Sequence, residues 1–318
     1  MTNKNKLNFL IIISIFLSIT YLFISVDYHY LTYVMSIRIP KFLSILITGF
    51  CIGTASIAFQ TIINNRLVTP CLLGMNSLYS LIHTSVVLVF GVSSIVVLNK
   101  NLSFLIDLVL MGGSALLIYG YVFKKTNYNI LYILLIGTVL STLFTSITDT
   151  MIRAIDPNEY AVLQDSILAG FGSAKMSQIL FALILMALVA LIFWKDLTLL
   201  DVISLGKNQA INLGINYDKS TMRLLVAVTL YITIATAMIG MISFLGFIIA
   251  NLSKELFKTY KHKYLMLGSF LCGIIVLLLG QIIIEHVFEF TTVITVFINL
   301  FGGLYFLYLI FKNREKLA

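Results

Sequence analysis

Apolar residues along this chain come in long runs separated by short polar breaks. A membrane-crossing helix needs about 20 such residues. Runs of that kind lie near 7–26, 41–62, 71–90, 103–123, 129–150, 177–194, 221–240, 242–257, 264–287 and 293–311. The third starts just after Pro70 and is interrupted by Asn76 and His83, and the eighth is short and follows Gly240 almost without a loop. The pattern predicts an all-α polytopic membrane protein of about ten transmembrane helices, with one membrane domain over residues 1–318. Two polar interruptions are longer than the rest, Arg153 to Gln178 and Lys195 to Ser220. The first contains Asp156-Pro157-Asn158-Glu159, the signature of a capped short helix on the membrane surface. No short-period repeat is visible, and an inverted repeat of five helices leaves no trace in the sequence.

Composition narrows the class. Sixty per cent hydrophobic residues, 11% charged and a mean hydropathy of +1.03 exclude an ordinary soluble domain. With ten spans and the N-terminus inside, only Arg38, Lys41, Lys100, Arg153 and Lys175 of the 21 Lys and Arg fall outside. That asymmetry predicts a multi-pass cell-membrane protein with both termini cytoplasmic. The net charge of +8 then reads as a topology signal with contact to anionic membrane lipid. No basic run is interleaved with aromatics, so no nucleic-acid partner is expected. The first span is expected to persist: Asp27-Tyr28-His29-Tyr30 follows it where a cleavable leader would have a small-x-small site. Cys51, Cys71 and Cys272 fall in or beside apolar segments and read as packing residues.

The stretch from Arg38 to Gly74 carries the most information. Arg38-Ile39-Pro40-Lys41 opens an apolar segment with small residues at Gly49, Gly53, Ala55, Ser56 and Ala58. It ends in Gln60, Asn65, Leu67, Pro70 and Leu72-Leu73-Gly74. Taken alone, this is a membrane helix with a basic collar at one end and a Pro/Gly-broken re-entry at the other. The order also resembles the permease subunits of ATP-driven iron-siderophore, haem and vitamin B12 importers. There an Arg-hydrophobic-Pro-Arg collar precedes a Gly/Ala-rich helix and then Gln-x4-Asn-Pro-Leu-Ala-x-Pro-x-Leu-Leu-Gly. The chain keeps that spacing from Gln60 to Gly74, with Lys41, Arg66 and Val68 replacing the second Arg, the first Pro and the Ala.

Two further segments extend the resemblance. Leu205-Gly206-Lys207-Asn208-Gln209-Ala210-Ile211-Asn212-Leu213-Gly214 places helix formers between glycines, a short amphipathic helix that Gly214 ends. On spacing alone it is equally a plain connecting loop. It is similar to the family's Leu-Gly-x-x-x-Ala-x-x-Leu-Gly segment, which implies contact with an ATPase subunit through Gly206, Gln209, Ala210, Leu213 and Gly214. Gly240-Met241-Ile242-Ser243-Phe244-Leu245-Gly246-Phe247 is similar to Gly-x-Ile-x-Phe-Val-Gly-Leu. The family then continues Pro-His-x-x-Arg, where Ala250, Asn251 and Lys254 stand. For Arg38 and Lys41 the plain reading is snorkelling at the interface. The resemblance instead implies docking of an external, extracellular or periplasmic substrate-binding protein, with a weaker third contact near Glu285 or His286.

The fifth span carries Gly137, Thr138, Ser141, Thr142, Thr145 and Ser146. Any one hydroxyl there is satisfied by its own backbone. Together they form a stripe in which Thr138, Ser141, Thr142 and Thr145 are candidates for lining a pathway, with Leu140, Leu143 and Ile147 falling elsewhere. The acidic group at its outer end, Asp149, Asp156 and Glu159 with Arg153, lies near the same vestibule. His29, His83, His262 and His286 are scattered, and no catalytic motif or Gly-x4-Gly-Lys-Ser/Thr appears; Leu205-Gly206-Lys207-Asn208 lacks the preceding glycine and the hydroxyl. The chain is therefore expected not to be an enzyme, to bind no cofactor, and to leave ATP to a separate subunit. The resemblance implies a vitamin B12 importer permease-like fold, a second permease (identical or a sister), two ATPase subunits and alternating access. Its implied substrate is a ferric siderophore, with Thr291 to Phe306 resembling the branch for catecholate types. The alternative is an ion-coupled secondary transporter using Asp107, Asp149 and Glu285. A membrane-embedded hydrolase is third, and the missing nucleophile–base constellation argues against it.

Overall fold

The computed structural model describes residues 2–26, 28–94, 97, 99–126, 130–168 and 170–314. In chain order the helices are α1 (Asn3–Phe23), α2 (Leu31–Ile63), α3 (Met75–Phe90), α4 (Lys100–Lys125) and α5 (Ile130–Ile152). Next come α6 (Pro157–Ile167), α7 (Met176–Ile192), and the short α8 (Trp194–Thr198), α9 (Leu200–Ile203) and α10 (Lys207–Asn212). The chain ends with α11 (Tyr217–Ile239), α12 (Leu245–Phe257), α13 (His262–His286) and α14 (Ile294–Arg314). Among the described residues α1, α2, α4, α5, α11, α13 and α14 are long and apolar enough to cross a membrane, and α3 and α7 are shorter apolar helices.

α2 is the axis of the bundle. Nearly every residue from Ser44 to Ile62 is buried, as a helix apolar on all sides must be when other helices surround it. It packs on α11, α13 and α12. Its seam with α13 pairs Gly49 and Gly53 with Gly273 and Ser269, two small residues four apart on each helix. A Cβ on Gly273 would lie 3.1 Å from Gly49 Cα, so the two backbones touch. α1 lies against α13, α4 and α7 against α11, and α14 against α12 and α13.

Two boundaries differ from the hydropathy reading. α2 starts at Leu31, so the basic collar falls inside the helix. No glycine interrupts Leu31–Ile39, and Pro40 removes only one intrahelical donor. The third apolar run divides into a 3-10 turn, Pro70–Leu73, and α3, because Gly74 takes a left-handed φ of 73°. The backbone of α5 packs against that turn: a Cβ on Gly137 would sit 2.6 Å from Leu72 O. The capped helix expected after Asp156 is α6, with Asp156 Oδ1 accepting from Asn158 N at 2.8 Å.

Candidate coupling, collar and pathway sites

The Gly206–Gly214 segment forms the short helix α10, bounded by glycines at φ 94° and 81°. Ile215 N donates to Ala210 O and Gly214 N to Ile211 O, closing the helix as the terminal glycine predicts. Ala210 is fully buried against its own chain, whereas Gly206, Gln209, Ile211, Leu213 and Gly214 are exposed. Ile211 and Leu213 are thus the apolar side chains this segment presents outward, and the small size of Ala210 fits the helix onto the bundle. A link missed by sequence reasoning anchors the segment. Asp201 Oδ1 accepts from His262 N at 2.7 Å and faces His262 Nδ1 at 2.6 Å, while Nε2 lies 2.9 Å from Thr61 Oγ1. Thr61 in turn donates to Ile57 O. Short α9 is thus tied to α13 and α2 by side chains 61 and 201 residues apart in sequence.

At the collar, Arg38 donates to Tyr21 O, Leu22 O and Ile24 O at 3.0, 3.0 and 2.7 Å. A cation on the last carbonyls of a helix satisfies orphan acceptors and suits the negative end of the dipole. Lys41 Nζ lies 2.8 Å from Glu285 Oε1, both side chains nearly buried. The same oxygen accepts from Gln281 Nε2 at 2.8 Å and Tyr21 OH at 3.3 Å. Both collar cations are thus held within the chain, Arg38 by backbone carbonyls and Lys41 by Glu285. His286, the other residue suggested for a third contact, is exposed. Asp107, buried, faces His83 Nε2 at 3.1 Å, and Asp149 is exposed.

The hydroxyls of α5 bond back to their own helix: Thr138 to Leu135 O, Thr142 to Thr138 O, Thr145 to Ser141 O and Ser146 to Thr142 O. Ser141 and Thr145 also face Ser77 of α3, at 2.8 and 3.2 Å. Thr138 and Thr142 point outward, and so do Val139, Leu143 and Ile147. The open face of α5 is therefore mixed, with leucine and isoleucine beside threonine. At about 100° per residue, positions 139, 142, 143, 146, 147 and 150 share one side, which the stripe counted on hydroxyls alone did not register.

Two separated motif departures meet in space. Gln60 Nε2 donates to Arg66 O at 2.9 Å, Asn251 Nδ2 donates to the same oxygen at 3.0 Å, and Lys254 Nζ donates to Gln60 Oε1 at 2.8 Å. Arg66, Asn251 and Lys254 are three of the positions at which the chain departs from the family's pattern.

The family model described as the FecCD transport family matches residues 4–312. The petrobactin import system permease protein YclO of Bacillus subtilis (strain 168) is 39% identical over 98% of this chain and 99% of its own length. The petrobactin import system permease protein FatC of Bacillus anthracis is 33% identical over 87% of this chain and 78% of its own. Among solved structures, a metal-chelate type ABC transporter in an inward-facing conformation superposes with a TM-score of 0.82 at 19% identity. That alignment covers 98% of this chain and all of the other, and it bears on the fold alone.

Proposed function

The chain belongs to the FecCD transport family, and from that premise we propose that it is the permease subunit of an ATP-binding-cassette importer for iron–siderophore complexes. The observation that carries the reading is identity of 39% spread over 98% of the chain to a relative named for petrobactin import. Petrobactin or a similar ferric chelate is accordingly the proposed substrate, and the Thr291–Phe306 tail extends the proposal to catecholate chelators.

In this reading α3, α7 and α12 complete ten crossings, and both termini are cytoplasmic. Two permease copies, identical or sister, face each other across the open side of α5. Its uncovered Thr138 and Thr142, beside Ser141 and Thr145, supply polar groups that gain nothing by facing lipid. Two ATPase subunits engage α10 through exposed Gln209, Ile211 and Leu213, with Gly206 and Gly214 setting its ends. Nucleotide closure reorients the helices by alternating access. The external binding protein docks at the Arg38–Lys41 rim. This chain contributes no cofactor and no hydrolytic group. The ion-coupled alternative loses support from the family match and the import-system permease relatives, and one of its three carboxylates, Glu285, is neutralised by Lys41.

Reconstitution in liposomes with its ATPase and binding protein tests the proposal. ATP is expected to drive accumulation of radioiron-labelled ferric petrobactin, and accumulation driven by an ion gradient without ATP would install the alternative. Cysteines at Thr138, Ser141, Thr142 and Thr145, in a background lacking Cys51, Cys71 and Cys272, are expected to react with a small aqueous thiol reagent. Their rates should change on nucleotide trapping; inert cysteines at all four positions would make α5 a packing seam.

A further inference from the structure

At the end of the bundle that carries the α10 segment, α2, α12, α13 and α14 enclose a cavity of about 750 Å³. Among the described residues Arg66, Lys254 and Lys258 line it, with Glu255 the one carboxylate. Glu255 Oε2 accepts from Tyr305 OH at 3.3 Å. Among the described residues no carboxylate lies within ion-pair distance of Arg66, Lys254 or Lys258. Three Lys or Arg do have one among the described residues: Lys41 has Glu285, Lys207 has Asp218 and Arg223 has Asp196.

Cations at the cytoplasmic ends of membrane helices are commonly just solvated. Two features set this group apart. Lys254 is only partly exposed, and its ammonium is fixed by Gln60 Oε1, which takes one of three N–H donors and leaves two. Arg66 has its carbonyl pinned by Gln60 and Asn251 while its side chain stays exposed at the cavity. The positions of the charges are therefore built, and like charges gathered in a concavity repel unless an anion offsets them. A guanidinium fork and two ammoniums match the oxygens of a tetrahedral oxyanion. Leu67, Leu265 and Leu309 add an apolar wall, and the volume exceeds what a bare phosphate needs.

We propose that this cavity binds a phosphate group, held by Arg66, Lys254 and Lys258, of the kind carried on anionic phospholipid headgroups. Basic pockets between membrane helices take such headgroups through the same combination of charge and apolar wall. The inference requires that the chain sit in a membrane and is independent of what it transports.

Native mass spectrometry of the purified protein with phosphatidylglycerol or phosphatidylcholine tests it, alongside melting in inorganic phosphate. Arg66→Gln with Lys258→Gln alters only exposed side chains, and Lys254→Met removes the inner cation. Wild type is expected to retain phosphatidylglycerol over phosphatidylcholine, with retention about tenfold weaker in the double variant. Inorganic phosphate raising the melting temperature of wild type alone, with no lipid preference, would keep the phosphate site and make its source soluble. Absence of both effects, or equal effects in all variants, overturns the proposal. So does carbodiimide cross-linking of Lys254 or Lys258 to the ATPase subunit with neither phosphate probe bound, since the partner would then be a protein carboxylate.

Discussion

At one end of α2, Arg38 spends its donors on the carbonyls of α1 and Lys41 is locked to Glu285. At the other end, Arg66 and Lys254 line a cavity, and among the described residues neutral groups hold the Arg66 carbonyl and the Lys254 ammonium. Both ends look alike in sequence: a cation beside an apolar run, near a proline. The difference comes from what the neighbouring helix brings. α13 presents Glu285 and Gln281 beside the collar, where little water reaches, and a buried cation there needs a partner. Beside Arg66 the helices splay around a cavity, so solvent or an anion can take that place.

Removing one half of the collar pair is expected to have the largest effect. Lys41→Met leaves Glu285 uncompensated and should cost about 3–5 kcal/mol of stability, read as a lower melting temperature in detergent. Adding Glu285→Gln should recover most of it; no recovery would mean that Lys41 acts through packing alone. At the opposite end, Gln60→Leu keeps volume but loses the bonds to Arg66 O and Lys254. A loss of about 2 kcal/mol is expected by the same measurement. Docking calls for a charge swap, because a simple reversal would set two carboxylates together. Lys41→Glu with Glu285→Lys preserves the ion pair. Binding-protein affinity at low salt should fall by no more than about 1 kcal/mol if Lys41 contributes to the rim; unchanged affinity would confine Lys41 to its structural role. Smallest of all, Arg66→Gln with Lys258→Gln should change stability by less than about 0.5 kcal/mol. A larger loss would reveal that these cations carry internal load and would erase the contrast between the two ends.

Much of the helical layout was legible because a lipid-facing or fully buried helix must be apolar over its whole length, and that is a local property. The glycines of α2 were visible for the same reason, although their partner seam on α13 was not. Side-chain partnerships escaped. Lys41 and Glu285 are 244 residues apart, and Asn251 reaches Arg66 O across 185. No periodicity encodes such a meeting. The departures at Arg66 and at Ala250-Asn251 looked like two unrelated losses until the fold put Asn251 on the Arg66 carbonyl. Ala210, which the resemblance placed with the coupling residues, is buried against its own chain, a packing contact that spacing alone does not encode.

The Asp201–His262–Thr61 connection clamps α9, the helix just before α10, to the bundle. A push on exposed Ile211 and Leu213 cannot be absorbed by α9 sliding alone, because contacts of 2.6–2.9 Å would have to open. Through those contacts α9 is fastened to α13 and α2, whose backbones touch at Gly49 and Gly273. α10 itself hangs between the glycine turns at Gly206 and Gly214, φ 94° and 81°, beside an α9 fastened to the bundle.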